Sequence, residues 1–461
     1  MKASFRKIGF LAILFFLFVK PVISGEKPLL SLVDSVKIGA AENLSLLISK
    51  LSEEEAKQNI QIKRKVFIPV LDFQTSRDNS NRLKFDNLIS GKTFDGSQLG
   101  LKLSKREDFD GDSYDGKTLT FTLSRPLLRN FGKKINGVDV DLASLDYEIA
   151  LESFKNDLNT LIFNIVKAWL DLFYAIKNLE VQESAYQRAY KQYEDTKGDI
   201  EKGVLPEQDI YLVEENVVGF EMNRQNAKYS ISISENELAR LLNFRVSSFS
   251  GFIASESLIN DMSTISSFSD SLEIQKNNNP TLKMKSLALK KSLINLDLYK
   301  NQLLPLLNWN MQYVQDSEQN APYQRSYNIG FEYSIPFSKR SDKASVVKGK
   351  INVREGELSI EEIEKNNEWN LKNNFDNLIY TFNILKEKKK ATDLAKKKLD
   401  AQNDKYSNGI STLDEVVRFQ RDLGNAMIDE INTLVSFNRL YYEKLFLEGT
   451  LYKRFGIELG S

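Results

Sequence analysis

From Leu142 to Gly198 the chain runs without a proline. Within that run Leu151, Phe154, Leu158, Leu161, Ile165, Ala168, Leu172, Ala175 and Leu179 step by three and four residues. This spacing sets the side chains along one seam of a helix, the pattern of coiled-coil packing. At 1.5 Å per residue the run would reach roughly 85 Å, too long for an ordinary globule. Similar stretches run from Pro206 to Leu242, Thr281 to Leu303, Val346 to Asn408 and Thr412 to Phe455. Nine prolines and 22 glycines are few for 461 residues, and their clustering favours long unbroken elements over several compact domains.

The halves of the chain also match each other at a shift of about 206 positions. Asn164 falls on Asn370, Trp169 on Phe375, Leu172 on Leu378, Tyr174 on Tyr380 and Gly203 on Gly409. An acid follows each glycine six places on, Asp209 and Glu415, and then Ile210 and Val416. Both glycines fall between long helices, where a left-handed residue ends a helix at low cost. Each half therefore reads as two strands, a long helix, a tight turn and a second helix. The expected organisation is a first repeat over 25–242, a linker over 243–272 and a second repeat over 273–461.

Four segments carry the period-two alternation of strands with one apolar and one polar face. They are Phe67 to Gln74, Leu119 to Ser124, Asn308 to Tyr313 and Tyr327 to Ile335. Their apolar face is rich in aromatics: Phe67, Phe73, Phe121, Trp309, Tyr313, Tyr327, Phe331 and Tyr333. In a membrane barrel that face meets lipid while the polar face lines water; in a soluble protein it would cover a core. A fifth alternating run, Leu99 to Leu103, either extends the barrel or folds back as an external hairpin. The serine-rich stretch Ser247 to Ser271 has no readable period.

Lys2, Arg6 and Lys7 precede an apolar run from Ile8 to Val19, with small Ser24 after it. That order is a secretory signal peptide, 1–24, too short to span a bilayer as a helix. The sequence contains no cysteine and no histidine. Thiolate nucleophiles, histidine-based triads and histidine-based metal sites are thereby excluded. Basic and acidic residues balance at 63 each, so no net field favours nucleic acid. An enzyme is not expected, and neither is a cofactor or a resident metal.

Three segments carry a family resemblance. Leu161 to Ala175 resembles the first long helix of TolC-type outer-membrane efflux proteins. Asn279-Pro280, opening a helix that ends at Leu304-Pro305 before a strand, is similar to the family's mid-chain signature. Pro126 to Gly132 resembles the motif after its second strand. The resemblance implies an α+β membrane protein: a homotrimer forming a 12-stranded β-barrel, four strands per protomer, continued by a long periplasmic α-helical barrel. It implies passive conduction from a periplasmic membrane-fusion adaptor and an inner-membrane transporter, of RND or ABC type, to the exterior. The location implied is the Gram-negative outer membrane, with outer-membrane lipid around the barrel. The alternative kept open is an exported periplasmic coiled-coil structural or adaptor protein.

The resemblance also nominates residues at the periplasmic end. Gate positions fall on Asp209 and on Tyr406, three before Gly409, while an arginine expected after Gly409 is Ser411. Two acidic rings of the family fall on Glu415 and Arg418, so the second carries the opposite charge. Arg418 lies one helical turn from Glu415, within pairing distance. Asp209 and Glu415 equally suit the simpler role of first-turn acids complementing a helix dipole, and Tyr406 that of a packing tyrosine.

Overall fold

A computed structural model describes residues 29–77, 82–108, 116–246, 251, 253–254, 258–263, 265–318 and 322–457. The expected signal segment lies outside them. The chain folds as two compact units. One takes in the segment up to Ser49, Lys155–Pro280 and the chain from Lys365; the other comprises Lys50–Phe154 and Thr281–Glu364.

The elements in order begin with β1 (Leu29–Leu30), α1 (Leu32–Glu42) and α2 (Leu44–Arg64). Four strands follow: β2 (Val70–Arg77), β3 (Arg82–Lys92), β4 (Gln98–Asp108) and β5 (Gly116–Pro126). Next come α3 (Lys133–Asn136), α4 (Val138–Glu201), α5 (Asp209–Leu241), β6 (Ile253–Ala254), α6 (Phe268–Asn278) and α7 (Pro280–Gln302). The chain ends with β7 (Leu306–Glu318), β8 (Gln324–Ser334), α8 (Arg340–Ser407), α9 (Leu413–Leu447) and α10 (Leu451–Arg454). The helix expected from Leu142 to Gly198 is α4, 64 residues long. The stretch expected to stay helical through Phe455 stops at Gly449. There φ is +70°, and the Thr450 N–H bonds back to the Leu445 carbonyl at 3.0 Å, closing the helix as a left-handed cap.

In the first unit α4 is more deeply enclosed than one seam would require. Leu158, Ile162, Ile165, Val166, Trp169, Leu170 and Leu172 are at most 1% exposed and cover a face nearly half the helix wide. That is broader than a two-position coiled-coil seam. Trp169 is wholly buried, stacks on Phe173 with ring centroids 5.7 Å apart, and donates its indole N–H to the Leu30 carbonyl at 3.0 Å. Leu30 lies in β1, which pairs in parallel with β6. Part of the unreadable serine-rich stretch is thus a strand fixed to the start of the chain. Nearby, buried Asn438 of α9 takes the Ile259 N–H at 3.0 Å and returns its own amide to the Ile259 carbonyl at 2.8 Å. A side chain replaces a missing strand partner there, which buried backbone groups require.

The second unit holds one antiparallel sheet in the order β2-β3-β4-β5-β7-β8. This corrects the expected four strands per protomer to six. The run Leu99–Leu103 lies in β4, and β3 was not recognised because Leu88 and Ile89 stand side by side and break its alternation. Phe67 also leaves the strand set: it sits in a 3₁₀ turn, Lys65–Phe67, stacked on Phe94 at 4.1 Å.

Trp169→Ala should remove about 3–5 kcal/mol through the cavity it leaves. It should also orphan the Leu30 carbonyl. The expected outcome is a lower melting temperature for the detergent-extracted protein than Trp169→Phe produces, read by thermal unfolding.

Candidate functional site

Two places combine defined geometry with exposed chemistry: the paired helix turns at Gly203 and Gly409, and the two-faced sheet.

The two turns share one conformation. Gly203 has φ +72° and Gly409 φ +71°. The residue after each, Val204 or Ile410, bonds back to the carbonyl of Asp199 or Lys405, at 2.8 and 2.9 Å. Each glycine N–H meets the carbonyl three residues earlier, Ile200 or Tyr406, at 2.9 Å in both. This is a Schellman closure used twice, 206 positions apart.

Asp209 opens α5, and Glu415 stands in the first turn of α9. Thr412 caps α9 by accepting the Glu415 N–H at 3.4 Å. Ser411 Oγ donates to the Glu415 carboxylate at 2.7 Å, and Gln402 Nε2 donates to the same oxygen at 2.9 Å. Gln402 also donates to Ser411 Oγ. Ser411, where the resemblance expected arginine, is therefore a ligand of the acid. The Ser411 hydrogen bond above all, then the Thr412 backbone, Gln402 and the positive charge of Arg418, hold the Glu415 carboxyl below its usual range. Arg418 itself is exposed, its guanidinium 5.3 Å from the Phe419 ring centre.

Tyr406 is half-buried. Burial pushes its phenol pKa up, and the carboxylates of Asp199, Asp209 and Asp195 push it the same way. Asp209 thus lies within electrostatic range of Tyr406, and Arg418 within that of Glu415. Among these contacts the Gln402–Ser411–Glu415 set was missed by sequence reasoning. Its only signal was a capping threonine three residues before the acid.

The sheet places the sequence-selected aromatics, apart from Phe67, on one face. Register carries a row straight across it: Leu71, Ile89, Leu101, Phe121, Tyr313 and Tyr327. Phe73, Trp309, Phe331 and Tyr333 share that face by the alternation of strand side chains. Phe73 is 73% exposed, Tyr327 79% and Phe331 71%, an unusual outlay of aromatic surface for a single chain. The opposite face is polar and hydrogen-bonded across strands. Thr118 donates to Asp316 at 2.8 Å, Ser124 to Asn310 at 2.7 Å and Asn308 to Glu332 at 3.0 Å. A groove of about 1010 Å³ lies along this polar face, lined by Ser90, Gly100, Thr122, Gln312 and Asn328 among others. No helix among the described residues is long and apolar enough to cross a membrane.

No family model and no curated relative matches the sequence. Solved structures do. The outer-membrane channel OprN aligns with TM-score 0.70 at 13% identity, over 91% of this chain and 90% of its own. The open-state MtrE outer-membrane channel of Neisseria gonorrhoeae aligns at 0.65 and 16%, over 91% and 89%. The CmeC outer-membrane channel of Campylobacter jejuni aligns at 0.62 and 14%, over 91% and 86%. The chain thus has the fold of outer-membrane channel proteins, and the resemblance first drawn from its helices and turns holds at the level of fold.

Linkage fixes the sign of the pH effect at the second turn. A carboxyl whose folded pKa is depressed contributes stability above its ordinary pKa and loses it as pH falls through the folded value. Ser411→Ala should raise the Glu415 pKa toward the ordinary carboxylate range. Carbon-13 carboxyl shifts of glutamate-labelled protein, assigned by the loss of one signal in Glu415→Gln, would follow it.

Proposed function

We propose that this chain is one subunit of an outer-membrane exit duct that passively conducts substrates from a periplasmic adaptor and inner-membrane transporter to the exterior. The system is a tripartite efflux pump or a type I secretion system. The observation that carries the proposal is the six-stranded sheet with an exposed aromatic face, a polar opposite face and two unpaired edges, β2 and β8. In lipid an open strand edge leaves backbone groups unsatisfied at several kcal/mol each, so such a sheet persists only when closed. One copy has too few strands to enclose a channel, and three copies joined edge to edge form a wet barrel. The protein then resides in the outer membrane of a Gram-negative cell, its aromatic band in lipid and its helices in the periplasm.

Two features support a duplicated design, with repeats over 25–242 and 273–461 joined by 243–272. One is the shared turn conformation at Gly203 and Gly409; the other is burial of both Leu172 and Leu378 at 0% exposure. In this reading the turns face the periplasmic entrance. Asp209 and Tyr406 hold neighbouring helix pairs together until an adaptor docks, and Glu415 with Arg418 sets the charge of the opening. The Ser411 and Gln402 bonds favour a Glu415 that stays ionised and fixed in place. The likeness to channels in solved structures supports the same role through the fold.

Reconstitution of the detergent-extracted protein into planar bilayers tests the role. The expected result is ion-conducting trimers, sized by native mass measurement. A non-conducting monomer that leaves detergent as a soluble protein would overturn it.

A further inference from the structure

Of the hairpin β3–β4, sequence reasoning found only the Leu99–Leu103 run of β4 and left its place open, yet both strands are paired on both sides. β2 meets β3 from Val70↔Ser90 to Arg77↔Leu83, and β4 meets β5 from Gln98↔Ser124 to Arg106↔Gly116. A hairpin budding from the outer rim would turn at the far end, away from the helices. This one turns at Thr93–Ser97, the end at which β5 leaves for α3 and α4. The turn is keyed to its surroundings. The Gly132 N–H bonds the Asp95 carbonyl at 3.0 Å, Arg125 pairs with Asp95 at 3.3 Å, and Phe94 stacks on Phe67. Within the turn, Thr93 donates to Asp95, and Ser97 donates to it through its backbone N–H at 3.2 Å and its hydroxyl at 3.1 Å.

The hairpin also matches the parity of its neighbours. Ile89, Leu99, Leu101 and Leu103 lie on the aromatic face and are all exposed. Lys84, Asp86, Lys102 and Ser104 lie on the polar face, where Asp86 meets Lys84 and Lys102 at 3.1 Å each and accepts from Ser104 at 2.6 Å. Register therefore runs through the hairpin without inverting a face, which a misplaced strand would do.

We infer that β3 and β4 are built into the membrane wall itself, so that three copies close a barrel of roughly eighteen strands whose interior carries a basic stripe. The inference rests on the duct reading and goes further, to the bore and charge of the exit. Barrel diameter grows roughly linearly with strand number, so the exit is about one and a half times as wide as a twelve-stranded one. On the polar face, Lys84, Lys92, Lys102 and Arg106 all belong to the hairpin. The described residues of β2, β5, β7 and β8 place only acids among charged groups there, Asp72, Asp316 and Glu332. The hairpin thus turns an acidic lining into one with a separate positive sector, which favours passage of bulky anionic solutes.

The chain has no cysteine, so single cysteines report cleanly. In full-length protein reconstituted into liposomes, Lys102→Cys and Ser104→Cys should react with a membrane-impermeant maleimide. Leu101→Cys and Leu103→Cys, facing lipid, should react at least ~10-fold more slowly. Single-particle microscopy of the same preparation should show six strands per copy. Lys84→Gln with Lys102→Gln should shift the reversal potential in a salt gradient toward cations. A threefold barrel of twelve strands, with all four cysteines equally reactive, would overturn this inference and leave the duct intact. An unshifted reversal potential would overturn the basic stripe. Absence of any threefold barrel would overturn the duct and the inference together.

Discussion

A sheet with two free edges and an aromatic face cannot be left as it is in any solvent. Among the described residues β2 and β8 are paired on one side only, and each backbone group removed from water without a partner costs several kcal/mol in hydrocarbon. The apolar face forbids water and the edges forbid isolated residence in lipid. Association edge to edge answers both demands at once, since the alternation that exposes Phe73, Phe331 and Tyr333 on one side gathers serine, threonine, asparagine and glutamine on the other. Other contacts in the second unit tie the sheet to the chain that enters and leaves it. Asn130 donates its backbone N–H to the Asn301 side-chain oxygen at 2.9 Å, and the chain just after β5 stays paired with the start of β7 through the Leu127 N–H and the Leu307 carbonyl at 2.7 Å.

The first unit is organised by a different economy. Its long helices bury apolar side chains across a face nearly half the helix wide in α4, and only along stripes where α8 and α9 border solvent. Specific polar ties fix how α4 and α5 lie together. Arg224 pairs with Glu183 at 3.2 Å and with Glu221 at 2.7 Å, while its guanidinium lies 4.3 Å from the Tyr186 ring centre. Exposed ion pairs stabilise little individually, yet a planar group pinned on three sides sets one register between two helices. The same holds for α8 and α9, where Thr392 donates to the Ala426 carbonyl at 3.1 Å and Lys388 meets Asp429 at 2.6 Å.

Much of this architecture was legible because it rests on periodicity. Helix extents follow from apolar spacing and from where proline and glycine fall, so α4, α5, α7 and α8 begin and end within a few residues of the sequence reading. The turn glycines were legible because only one residue type takes a positive φ at low cost. What escaped was pairing. β3 hides behind Leu88–Ile89 and behind the lysines and aspartate that a wet face accepts, so its pattern looks like a loop. The Ser411 and Gln402 ligands of Glu415 escaped for a related reason: Gln402 is 13 residues from its partner, across a turn whose closure sequence alone does not measure. Phe67 was misplaced because an apolar residue stacked at the foot of a sheet looks in sequence like one belonging to it.

The position of the Thr93–Ser97 turn has a consequence for how such a wall changes over time. A hairpin returns the chain to the end it left, so adding one leaves every helix attachment where it was. In the proposed wall, a single added strand would deliver the chain to the wrong side of the bilayer and strand its helices outside the cell. The wall can therefore vary only in steps of two, and each step alters circumference without redesigning the machinery below. In the proposed duct, width at the exit and docking at the entrance would then be separately heritable traits of one chain.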